Sequence, residues 1–123
     1  MAKYIDLPVY KRALDLVFSL TNSTQKMPKD IRFSRVTKMK NDVMDIAKYI
    51  AYANDADSER VAYIEKAVEV LNDIKIDVRS LLDLKYISNT GFSAITLSEA
   101  KLSRQLEGWL KSTRAKIESQ HKQ

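Results

Sequence analysis

Two stretches of this chain place apolar residues at alternating steps of three and four. One carries Val36, Met39, Val43, Ile46, Ile50 and Ala53, and the other Ile64, Ala67, Leu71, Ile74, Val78 and Leu81. Such spacing lines up a stripe along one side of an α-helix, whereas on a strand it would scatter to both faces. Only two Gly and two Pro occur among 123 residues, too few turn-formers for a sandwich or barrel. The chain is therefore expected to be all-α.

Three breaks, at 21–28, 53–59 and 88–91, divide it into four helical segments. The first is predicted from about Asp6, as N-cap with Pro8 just inside, to about Thr21. Its expected apolar face is Tyr10, Ala13, Leu14, Val17 and Leu20. The second opens at Pro28. The third opens near Asp57 and, at roughly 30 residues, would span about 45 Å. The fourth begins near Thr90 and carries Ile95, Leu102, Leu106, Trp109, Leu110, Thr113 and Ile117. Gly108 is unfavourable mid-helix by about 1 kcal/mol relative to Ala, which predicts close packing beside Trp109. Four amphipathic helices with short connections predict an antiparallel up-down four-helix bundle. It is read as one domain over 1–123, with 114–123 a polar tail or frayed helix end.

The side-chain inventory removes most catalytic constellations. There is no Cys, and the single His, His121, lies three residues from the end of a polar stretch. A nucleophile–His pair, a zinc site and a phosphate-cradling glycine loop are all implausible, so no enzyme activity and no cofactor are expected. Glu65, Glu69, Asp73 and Asp77 follow at four-residue steps along the third segment. They fit a solvated ribbon, a docking surface for a basic partner or neighbouring subunit, or a divalent-metal site. The last needs a Glu-x-x-His motif that the chain lacks. Asp42 and Asp45 interleave with Lys38 and Lys48 as surface charge. Tyr49 and Tyr52 flank the Ile50 seam position and mark a bundle end or a subunit contact. The N-terminal stretch lacks a signal-peptide apolar core and no apolar run approaches ~18 residues, so a cytoplasmic protein without membrane contact is expected.

The net charge of +5 is unevenly placed: residues 1–54 hold 10 basic and 5 acidic side chains, residues 55–87 hold 5 and 8, and residues 88–123 hold 6 and 3. The concentration is in "MPKDIRFSRVTKMK", residues 27–40. Lys29, Arg32, Arg35, Lys38 and Lys40 follow Lys26 there, with Asp30 the only acid. A helix N-terminus disfavours cations, by a few tenths to ~1 kcal/mol apiece. The placement makes sense if a polyanion is the usual occupant. Lys29, Arg32, Arg35 and Lys38 recur every third residue, and in a regular helix each step turns back by about 60°. The row would wind obliquely, able to follow a phosphate backbone. Arg104, Lys111 and Arg114 add a second basic group on the fourth segment. No motif for base readout is present, so RNA or DNA contact with little sequence preference is one reading and an acidic protein partner the other.

Five stretches together resemble a family of small bacterial four-helix bundles: "LPVYKRALDLV" (7–17), "MPKDIRFSRVTKMK" (27–40), "YIAYAND" (49–55), "RSLLDLKYIS" (79–88) and "SRQLEGWLKS" (103–112). One branch is encoded in intervening sequences of 23S ribosomal RNA genes. The other comprises the accessory variability determinants of diversity-generating retroelements. The "LPVYK" opening, the "AND" break and the "GWLKS" ending are closer to the second branch. That resemblance implies a barrel-shaped homopentamer with a basic surface. It further implies nucleic-acid binding and association with a retroelement reverse transcriptase that makes mutagenised cDNA from a template RNA. It places the basic role on Lys29, Arg32, Arg35 and Lys38, with Arg79 and Lys85 as further candidates. A homopentamer would also give the charge asymmetry a use, the acidic helix of one subunit facing the basic helices of its neighbour.

Overall fold

The computed structural model describes residues 2–121, and they are helical with no strand among them. A 3₁₀ turn, Tyr4–Asp6, leads into α1 (Pro8–Ser23). Lys29–Ile31 forms one α-helical turn, passes into a π-helical turn at Arg32–Val36, and continues without a break as α2 (Thr37–Asp55). α3 (Arg60–Asp83) and α4 (Asn89–His121) complete the chain. α2 packs on α3, α3 on α4, α4 on α1 and α1 on α2, so the helices close a ring around one apolar core.

Every seam residue expected on α2 and α3 is buried, from Val36 to Ala53 and from Ile64 to Leu81. The first helix differs. Its buried residues are Val9, Ala13, Leu16 and Leu20, while Tyr10, Leu14 and Val17 are only half-buried. This helix is apolar at eight of the twelve positions from Val9 to Leu20, so its sequence leaves the inward phase open and the neighbouring helices select it. Asp6 is not its cap: Leu7 holds the N-cap position, its carbonyl accepting from Tyr10 N at 3.1 Å and Lys11 N at 3.3 Å, with Pro8 at the first turn as expected.

The lengths also differ from expectation. α3 has 24 residues instead of roughly 30, and α4, at 33 residues, is the longest helix. The stretch 114–123, expected as a polar tail or frayed helix end, is helical as far as His121, and residues 122 and 123 lie outside the described residues. Gly108 is not closely packed, because a methyl group there would meet nothing within 4 Å. The close approach is at Gly91, where an added Cβ would sit 3.3 Å from Ser23 Cβ and 3.4 Å from Ser23 O. A residue without a side chain there lets the first turn of α4 come up against the last turn of α1.

The connections have identifiable stops. Between α2 and α3, the Arg60 guanidinium donates to three carbonyls at the end of α2: Ala53 O at 2.8 Å, Ala56 O at 2.8 Å and Asn54 O at 3.2 Å. A cation is favourable at a helix C-terminus, and here it also satisfies acceptors with no intrahelical donor. α3 ends in a Schellman arrangement, with Tyr86 N donating to Leu81 O and Lys85 N to Leu82 O, both at 2.9 Å. Lys85 takes the left-handed position, at φ 62°, that glycine usually fills.

Candidate nucleic-acid interface

The basic stretch is shaped by its π turn. Met27, Ile31, Val36 and Met39 all face the core side, with Ile31 half-buried and the other three buried. The interval from Ile31 to Val36 is five residues, one more than an α-helical seam tolerates. A π turn closes i→i+5 bonds and brings such a pair back onto one side. Ser34 supports the turn, its hydroxyl donating to Asp30 O at 3.1 Å and sharing Ile31 O at 3.3 Å. Phe33, two positions past Ile31, points outward and is 78% exposed. Beside it lies an open depression of about 500 Å³ walled by Lys29, Asp30, Arg32, Phe33, Val36, Thr37 and Lys40.

The six cations of this stretch occupy different settings. Lys29 and Arg35 are exposed and form no ion pair among the described residues, and Lys40 is half-buried on the wall of the depression. Arg32 braces the preceding loop, its Nη1 donating to Gln25 O at 2.9 Å. Lys38 clamps two helices: its ammonium donates to Asp42 Oδ2 on α2 at 2.8 Å and to Asp77 Oδ2 on α3 at 3.2 Å. These two hydrogen bonds raise its pKa above the ordinary lysine value, the Asp42 bond contributing most. The even 60° step expected from Lys29 to Lys38 does not hold across the π turn. Lys26 belongs to a second depression, of about 590 Å³, which it shares with Lys85, Tyr86 and the first turn of α4. The loop before α2 and the loop before α4 therefore lie at one end of the molecule.

The remaining basic candidates are spread out. Arg79 Nε donates to Asp83 at 3.1 Å, and its guanidinium lies 6.0 Å from the Phe92 ring centroid. Arg114 pairs with Glu65 at 3.2 Å, bridging α4 and α3. Glu65 is near the start of α3 and Lys85 just past its end, which at 1.5 Å per residue separates them by about 30 Å. Arg104 and Lys111 are exposed on α4. Arg104, Lys111 and Arg114 therefore do not adjoin the basic end.

The acidic ribbon is divided too. Glu65 and Asp77 have the partners just named, whereas Glu69 and Asp73 are exposed without an ion pair among the described residues. No group of three or more His, Cys, Asp or Glu side chains able to hold a metal ion occurs among the described residues. Tyr49 and Tyr52 meet a third ring that sequence reasoning missed, Tyr63, at centroid distances of 6.5 and 5.5 Å. Lys66 Nζ lies 5.9 Å from the Tyr49 centroid and 5.6 Å from that of Tyr63. The signal was present in the order of the chain, since the end of α2 and the start of α3 are joined by a short turn.

Glu99 was missed as well. It occupies the α4 seam between Ile95 and Leu102, is 4% exposed, and its Oε2 has no hydrogen-bond partner. Burial raises its pKa to about 7, with Lys75 pulling the other way. An acid midway along a seven-residue gap in the apolar stripe was the available sign.

No helix among the described residues is long and apolar enough to cross a membrane. Compared with known proteins, the chain matches no family model and no curated sequence.

Proposed function

We propose that this protein is a non-catalytic nucleic-acid-binding subunit that serves a retroelement reverse transcriptase during cDNA synthesis. The observation that carries the reading is the basic end of the molecule. Two open depressions there are lined by Lys29, Arg32 and Lys40 and by Lys26 and Lys85, with unpaired Arg35 exposed nearby. Lysine and arginine side chains without a carboxylate partner are free to pair with phosphate, and each such contact releases counterions. The partner and the pathway rest on the sequence resemblance to accessory variability determinants. The lack of Cys and the presence of a single His in this sequence support a role without catalysis. The helix ring is compatible with an antiparallel up-down bundle, the arrangement we propose.

The resemblance also supports a cytoplasmic homopentamer. Exposed, unpaired Glu69 and Asp73 and the half-exposed Tyr52 supply material for subunit contacts. If Glu69→Lys with Asp73→Lys leaves the oligomer intact at low protein concentration by light scattering, the acidic helix is not a subunit contact.

The test of binding is fluorescence anisotropy with labelled single-stranded RNA across a salt series. Lys29→Gln, Arg35→Gln and Lys40→Gln together remove three cations while sparing the Arg32 brace and the Lys38 clamp. The slope of log K against log salt is expected to shrink by about 2, from ~0.7 per phosphate contact. Absence of binding at ~50 mM salt overturns the reading and directs the search to an acidic protein. A reverse-transcriptase gene with template and variable repeats beside this one supports the retroelement role, and a position inside a 23S ribosomal RNA gene overturns it.

A further inference from the structure

Phe33 is the most exposed of the large apolar side chains, ahead of Ile76 at 68% and Phe18 at 63%. Its exposure is built in. Ile31 and Val36 both lie on the core side across the π turn, and Phe33, two positions past Ile31, falls on the opposite side. The depression it borders is also lined by Lys29, Arg32, Lys40 and Thr37, and by one acid, the exposed Asp30. The only other apolar wall of the depression is Val36, itself fully buried.

An apolar protein surface would have to desolvate those cations to reach the ring. A ligand with a flat π face next to negative charge engages both at once. Every nucleobase has such a face, and a phosphate follows it along the strand. Proteins that hold single strands combine the same two elements, an aromatic platform and a cationic track. In a duplex the faces are already stacked on neighbouring base pairs, so the ring has nothing to receive.

We infer that Phe33, framed by Lys29 and Lys40 at the π turn, is a stacking platform for an unpaired base, so that this end of the molecule selects single-stranded over duplex nucleic acid. The inference rests on the nucleic-acid reading above and adds to it the strandedness of the ligand.

Phe33→Ala, Phe33→Leu and Phe33→Trp are compared with the wild type against single-stranded RNA and a blunt-ended, loop-free RNA duplex, each across a salt series. The side chain is exposed, so all variants are expected to keep the wild-type circular dichroism and melting profile. Phe33→Ala is expected to weaken single-strand binding about 5-fold to 100-fold with an unchanged salt slope, the range seen when stacking rings are truncated. Duplex binding stays the same. Phe33→Leu stays weak, because bulk without a π face does not stack. Phe33→Trp retains affinity, and fluorescence from position 33, taken as the difference from wild type, is quenched by the single strand but not by the duplex. Equal losses for single strand and duplex overturn the inference, as does full recovery by leucine, which would indicate a plain apolar contact. Unchanged affinity in Phe33→Ala with intact salt-dependent binding overturns stacking alone and leaves the nucleic-acid reading standing. Wild-type protein that binds neither probe overturns both.

Discussion

Glu99 makes a sharp prediction about stability and pH. Its carboxyl is 4% exposed on the α4 seam, and Oε2 has no hydrogen-bond partner. Charge there is opposed by desolvation and only partly relieved by Lys75 on α3, and the pKa rises from 4.5 to about 7. The groups around the adjoining depression are Lys75 of α3 and Arg104 and Glu107 of α4. Below about pH 4.5 the carboxyl is neutral whether the chain is folded or not. Between 4.5 and 7 the unfolded chain has released the proton and the folded chain retains it, so stability falls as pH rises. Above that window the loss is complete and constant. At about 1.4 kcal/mol per pH unit, the loss comes to somewhat over 3 kcal/mol, on the order of the full shift.

Glu99→Gln keeps the shape and removes the titration. The variant is expected to lose this pH slope and to be more stable than wild type at pH 8 by about 2 kcal/mol. That figure is the recovered ionisation cost less roughly 1 kcal/mol for an imperfectly satisfied amide. Urea unfolding followed by circular dichroism between pH 4 and 8.5, at one protein concentration so that subunit association is held constant, measures the difference directly. In a thermal scan the gain corresponds to about 8 °C for a chain of this size. Parallel wild-type and variant profiles across the window would refute the reasoning, since the buried carboxyl would then ionise without penalty.

Arg60→Met keeps the aliphatic stem but removes three donors from the end of α2, and is expected to cost about 2–3 kcal/mol by urea unfolding. Lys85→Gly relieves a left-handed backbone position and is expected to raise stability by about 1 kcal/mol, whereas Lys85→Ala, equally strained there, stays near wild type. Gly108→Ala points a methyl into open space and is expected to stabilise α4 by up to about 1 kcal/mol, read as a higher melting temperature. Lys38→Met should weaken the link between α2 and α3 by about 1 kcal/mol or less, because the clamp is exposed and screened.

How far the chain could be read in advance varied from helix to helix. α2 and α3 are each polar on one side and apolar on the other, so a local period of 3.5 residues was enough to name every buried position but Ala47. α1 has apolar residues around much of its circumference, and there the same rule chose Leu14 and Tyr10 over Leu16 and Val9. The cluster of cations at 26–40 was visible by counting. That Lys38 faces Asp77 and Arg114 faces Glu65 was not, since those partners are 39 and 49 residues away in the chain.

Local chemistry by itself determined that this protein is all-helical, that its helices break within 21–28 and 53–59, and that one stretch carries most of its excess charge; the third break falls at 84–88, ahead of the expected 88–91. Those properties depend on backbone hydrogen bonding and side-chain period, which act over a few residues. Tertiary structure decided the inward side of α1, the burial of Glu99, the open space beside Gly108, and which cations are already matched by carboxylates. Each of these depends on what another helix presents at the same height, and packing alone supplies that. The π turn stands between the two. Its five-residue interval is written in the sequence, but it becomes a π turn only because Ile31 and Val36 must both meet the same core.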